Sequence, residues 1–95
     1  LHVELGSTDH VLDGLSRAAY THAHAGRGRL AAQLLSASLA LHEEAGLAVP
    51  LYQRRRADEL AEMLHGQLDD AAFTQAWEEG AGLSLDEAVA LALGE

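Results

Sequence analysis

Residues Ala71–Leu93 read AAFTQAWEEGAGLSLDEAVALAL, which is two short amphipathic helices split by Gly80, Gly82 and Ser84. At helical periodicity Phe73, Ala76, Trp77 and Gly80 share one face, and Leu85, Ala88, Val89 and Ala92 share another. The only Phe and the only Trp of the chain lie here, so the spacing predicts a buried aromatic anchor centred on Trp77. Nothing in the stretch reads as catalytic machinery. It points to a helical interaction module.

Working outward, the bulk composition agrees. Hydrophobic residues make up 48% of the 95 residues, mostly Ala and Leu, and aromatics only 4%. Small side chains in that proportion suit helices packed closely side by side rather than a β-sandwich. A chain of this length forms one domain that buries roughly two thirds of its unfolded surface. There is no Cys, which removes disulfides, thiolate metal sites and Cys nucleophiles and fits a reducing, cytoplasmic setting. No apolar run approaches the ~20 residues of a membrane span, and no signal peptide is legible. The chain begins at Leu1 without Met, so a piece of a longer protein is expected. The net charge of −9, with Arg as the only strong base, repels phosphate backbones and argues against direct nucleic-acid binding.

Five helical segments are expected. The first runs from about Thr8 to Ala25, with Val11, Leu12, Leu15, Ala18, Ala19 and His22 in one stripe and Asp13, Arg17 and His24 pointing away. Gly26 sits where a C-terminal glycine cap is favoured. The second runs from about Arg29 to Ala45, its inner face being Leu30, Ala31, Leu34, Leu35, Ser38, Leu41, His42 and Ala45, and Gly46 ends it. The third begins near Pro50 and turns Ala57, Leu60, Ala61, Leu64 and Leu68 inward. The fourth starts at Asp69 or Asp70, either a good N-cap. The fifth starts at Ser84, which forms a capping box with Glu87. Short connections make consecutive helices antiparallel neighbours. The expected organisation is a single all-α domain over residues 1–95, an antiparallel array of about five helices, with a hairpin over 8–45 and C-terminal helices over 50–94. Leu34, Leu35, Leu60, Leu64, Phe73, Trp77 and Val89 are expected to hold it together.

Leu15, Ala18, Ala19, His22, Gly26, Ala31, Leu35 and Ser38 fall at the intervals of a tetratricopeptide repeat. Ala19 and Ala31 let two antiparallel helices approach, while Leu15 and Leu35 fill the space outside. His22 stands where an aromatic is usual, and no Pro closes the repeat near Glu43. From Gly26 onward the chain resembles the tetratricopeptide-like helical region of large bacterial ATP-dependent transcriptional regulators of the LuxR and SARP types and related signalling ATPases. The resemblance is carried by Ala31 to Leu35, Glu43 to Gly46, Pro50, Ala72 to Gly80 and Leu83 to Ala88. It implies tetratricopeptide-like packing and a sensor or docking role. The chain contains no Walker-type loop or recognition helix, so ATPase and DNA-binding activities would lie outside it.

Several constellations bear on chemistry. Glu62 and His65 have the Glu-x-x-His spacing of di-iron carboxylate bundles, but only one copy is present. Glu62 lies roughly 150° from the centre of its helix's apolar stripe, so a solvated acidic face is expected and a carboxylate–His metal site is a remote alternative. His22 and His42 lie within apolar stripes near the C-terminal ends of antiparallel helices, roughly 15 Å apart along the axis at 1.5 Å per residue. One ion cannot bridge them, and two partly buried histidines with a hydrogen bond each are expected. Arg54, Arg55 and Arg56 form a basic run that Asp58, Glu59 and Glu62 compensate locally, either as a solvated face or as a docking site for an acidic partner. Ser7, Ser16, Ser36 and Ser38 have no His–acid partner at legible spacing, so no hydrolase triad is supported.

The sequence thus predicts a non-catalytic interaction or regulatory segment with no cofactor and no resident metal. Its expected partner is a protein, or other domains of the same parent chain. The alternative is a self-associating bundle that dimerises its parent. Leu91 and Leu93 favour that reading, because a short terminal helix with apolar residues around much of its girth requires a second surface.

Overall fold

The computed structural model describes residues 5–46 and 51–93, with side-chain environments from Val11 onward. All regular structure among them is helical: α1 Leu5–His24, α2 Gly28–Glu44, α3 Leu51–Gln67, α4 Asp70–Ala81 and α5 Leu85–Ala92. Pro50, the expected start of the third helix, lies outside the described residues. No described helix is long and apolar enough to cross a membrane.

The helix boundaries follow from local chemistry. Gly26 and Gly46 take left-handed φ values of 82° and 71°, which L side chains rarely adopt, and each closes the helix before it. Asp69 caps α4 by accepting from the Ala72 backbone N–H at 2.7 Å. At α5 both halves of the capping box form: the Glu87 N–H donates to Ser84 Oγ at 3.1 Å, and the Ser84 N–H donates to Glu87 Oε1 at 2.9 Å.

Cross-helix bonds set the directions. Ser16 Oγ donates to Ser38 Oγ at 2.8 Å, and Ser38 Oγ donates to the Leu12 carbonyl at 3.2 Å. These link the middle of α1 to the second half of α2 and make the pair an antiparallel hairpin. Gln53 at the start of α3 meets Asp13, and Gln67 at its end donates to the Ala23 carbonyl at 3.0 Å. Helix α3 therefore runs alongside α1 and antiparallel to α2. Helix α5 places Leu85 by Leu41 and Leu91 by Gln33, so it too lies antiparallel to α2. Helix α4 packs heavily on α2, and α3 and α5 flank the α1–α2 hairpin with little contact between them.

Helix α2 is thus wrapped on nearly all sides. Ala31, Ala32, Leu34, Leu35, Ser36, Ala37 and Ser38 are each 2% exposed or less, and at 3.6 residues per turn they point around almost the whole helix. This corrects the amphipathic reading of α2. Ala32, Ser36 and Ala37, which the expected inner face left out, are fully covered, whereas Leu30 and Leu41 of that face are half-buried and Ala45 is exposed. The remaining large core side chains are Leu12, Leu15, Leu60 and Leu64.

The aromatic anchor is also corrected. Phe73 and Trp77 are half-buried at the core margin, and the central positions of α4 belong to Ala76 and Gly80. The cause is the closeness of α4 to α2. A Cβ on Gly80 would stand 2.9 Å from the Gln33 Cα and carbonyl carbon and closer still to its oxygen. Helices in backbone contact leave no room for an indole between them, so Trp77 lies beside the contact. Its ring stacks on Phe73 at 5.4 Å, and Phe73 stacks on His65 at 4.0 Å. Val89 is likewise half-buried.

Candidate functional site

The terminal helix borders an open recess of mixed apolar and acidic lining. The capping box fixes the start of α5, and Ala88, fully buried, seats it on the core. That rotation places Ala90 and Leu91 beside Leu83, the residue that connects α4 to α5. With Gln33, Glu79 and Glu87 they line an open groove of about 430 Å³. Leu91 is half-buried in this groove and Leu93 beyond it is 69% exposed. Three of the six lining residues are apolar, and two of the others are carboxylates. Glu79 is held in place by Arg29 Nη2 at 2.8 Å and by Gln33 Nε2 at 3.1 Å, both donating to Oε1. Ser36 Oγ donates to the Trp77 carbonyl at 2.6 Å, so the wall formed by α4 is tied to α2 at two successive turns.

Arg54, Arg55 and Arg56 lie on α3, exposed, and the structure does not bring them to Leu91. Ion pairs between described side chains are Arg17 with Asp13 at 3.0 Å and Arg29 with Glu79 at 2.8 Å. No pairing of Arg54–Arg56 with Asp58, Glu59 or Glu62 is among them. Arg56 instead sits 5.8 Å over the Tyr20 ring, which packs on His24 at 4.3 Å. Leu51 and Tyr52 precede the arginines and are 67% and 61% exposed.

Gln53, which the sequence did not single out, is buried between α1 and α3. Its Nε2 donates to Asp13 Oδ1 at 2.7 Å, while its Oε1 is buried without a hydrogen-bond partner. Asp13, expected to point away, is thereby turned toward α3. The neighbouring cavity of about 10 Å³, lined in part by Asp13, Ser16 and Gln53, is close to the smallest space that holds one water. Two side chains of opposite hydrogen-bonding character on different helices were the available signal, and their spacing of 40 residues hid it.

The histidines separate as the antiparallel hairpin requires. His42 is 1% exposed and its Nδ1 donates to the Ser38 carbonyl at 2.9 Å, leaving Nε2 without a partner. His22 is half-buried and its Nδ1 accepts from Arg27 Nη1 at 3.2 Å. Glu62 and His65 are both exposed, and the His65 ring is engaged with Phe73. Among the described residues no group of three or more His, Cys, Asp or Glu side chains is placed to hold a metal ion.

Among the described residues the architecture is all-α, five helices with α2 enclosed by the others. No family model, no curated protein and no solved structure matches the chain.

Proposed function

We propose that this chain is a non-catalytic, tetratricopeptide-like interaction and regulatory segment of a larger cytoplasmic bacterial protein, a transcriptional regulator or signalling ATPase, and that the α4–α5 groove is its docking surface. The observation that carries the reading is the position of Leu91 in the lining of an open recess with Leu83 and Ala90, two residues before the exposed Leu93. Interaction sites combine such an apolar centre with a polar rim. The polar side chains elsewhere support the same reading, since Ser16, Ser36, Ser38 and Gln67 are committed to bonds between helices and Asp69 to the cap of its own helix.

The test is a benzophenone side chain installed at Leu91, with a second at Glu62 as the exposed control, followed by irradiation in the producing cell and mapping of the adducts. Position 91 is expected to give one dominant protein adduct, to another segment of the parent chain, a second copy or a distinct partner. Absence of a dominant adduct at position 91, or the same adducts from position 62, counts against the reading. Self-association that dimerises the parent is the second reading, favoured by the exposure of Leu93.

A further inference from the structure

The C-terminal third of this chain is acidic, and the longest basic run lies on a different helix. From Gly66 to Glu95 the sequence holds seven Asp and Glu residues and no Arg, Lys or His, whereas all six Arg precede it. On the acidic side, Glu79 and Glu87 line the groove with Leu83, Ala90 and Leu91, and Glu78 and Asp86 are exposed on the same two helices. On the basic side, the first turns of α3 expose Leu51 and Tyr52 with Arg54, Arg55 and Arg56. Leu51 has Arg54 and Arg55 as its three- and four-residue neighbours, and Tyr52 has Arg55 and Arg56. One surface is a recess lined by Leu83, Ala90 and Leu91 together with Gln33, Glu79 and Glu87, in which Glu79 also pairs with Arg29; the other exposes Leu51 and Tyr52, whose hydroxyl accepts from Gln53 Nε2 at 3.3 Å, beside three guanidinium groups. Helices α3 and α5 flank the α1–α2 hairpin with little mutual contact, and no ion pair between described side chains joins Arg54–Arg56 to Glu79 or Glu87.

We infer that the occupant of the α4–α5 groove is the α3 start of a second copy of this chain. This rests on the docking reading above and names its partner. Leu51 and Tyr52 enter the groove beside Leu91, and Arg54–Arg56 face Glu79 and Glu87. The contact is heterologous, because the two surfaces differ, so the dimer retains one unused surface of each kind and assembly continues past it. Charge complementarity sets the register and makes association sensitive to salt.

Sedimentation velocity on the full 95-residue chain across the micromolar to millimolar range tests this. The mean mass should rise past the dimer with concentration, and association should weaken about tenfold or more between low and high NaCl. Arg54→Glu/Arg55→Glu removes the basic surface and keeps the groove, while Leu91→Glu blocks the groove and keeps the basic surface. Each variant should be monomeric alone, and an equimolar mixture should form a one-to-one dimer and nothing larger. Should circular dichroism show Leu91→Glu unfolded, Ala90→Lys blocks the same groove through another residue of its lining. Association of the arginine variant equal to the parent chain would overturn the inference, as would a monomeric parent chain at every concentration. A cross-link from position 91 to a different protein would overturn it too, while leaving the docking reading intact.

Discussion

Replacing Gly80 by Ala should destabilise this domain, although the same change at most helix positions stabilises. In a helix interior Ala is favoured over Gly by about 1 kcal/mol. At Gly80 the new methyl meets the Gln33 backbone at 2.9 Å from two carbon atoms and closer still to the carbonyl oxygen. The obstacle is main chain in the most enclosed helix, so it cannot rotate aside. Helix α4 must instead retreat by roughly half an ångström or more to restore ordinary contact. That retreat stretches the 2.6 Å bond from Ser36 to the Trp77 carbonyl and the bonds of Arg29 and Gln33 to Glu79. Overpacking of this kind costs about 1–3 kcal/mol, and weakening one buried hydrogen bond adds about 1 kcal/mol. Against the propensity gain, a net loss of about 1–3 kcal/mol is expected. Gly14 is the internal control, since it lies exposed in α1 and a methyl group added there would meet nothing within 4 Å. Gly14→Ala should stabilise by about 0.5–1 kcal/mol. Urea denaturation followed by circular dichroism measures both, with the midpoints compared at constant slope. A Gly80→Ala variant as stable as the parent chain would refute the argument that backbone contact sets the α2–α4 spacing.

Three further outcomes are expected. Trp77→Ala should cost about 2 kcal/mol by urea denaturation, below the roughly 3–5 kcal/mol of a fully enclosed aromatic, because the indole lies at the core margin; a loss of about 4 kcal/mol or more would place it inside. His42→Leu should be neutral or stabilising in a thermal melt, because it removes a buried nitrogen without a partner at little change in volume, worth about 1–3 kcal/mol, while the Ser38 carbonyl keeps its place in the helix; a drop in Tm of several degrees would show that Nε2 is satisfied. The chain should not shift duplex DNA at moderate salt, given its charge of −9; salt-sensitive micromolar binding would make Arg54–Arg56 the contact and displace the docking reading.

Helix existence and most helix ends were legible because their causes are local. Gly26, Gly46, Asp69 and the Ser84–Glu87 pair each act within one turn of their own position. The wrapping of α2 was less legible, because periodicity identifies a favoured face and cannot tell a polar outer face from a merely small one. The signal was present: from Leu30 to Leu41 the helix holds no charged residue, and a helix without a charged face is an enclosed one. The displaced aromatics have a related cause. Periodicity makes Gly80 one member of Trp77's face, whereas its role is to admit a neighbouring backbone, which excludes the indole from the contact. For the candidate groove, the surplus apolarity of Leu91 and Leu93 was readable, but its walls were not, since Gln33 and Glu79 converge only through tertiary packing.

The enclosure of α2 by alanine and serine gives the domain a lopsided mutational profile. Most of its buried positions are already near the smallest side chains available, so truncation has little left to remove. Almost every single-residue change there enlarges a side chain against a neighbouring main chain. A saturation library should therefore show a dense band of intolerance across residues 31–38, strictest toward bulk, while Leu12, Leu60 and Leu64 accept other large aliphatic residues. Sequence drift in such a domain is channelled into the outer helices, where surfaces can change partners while the central column stays fixed.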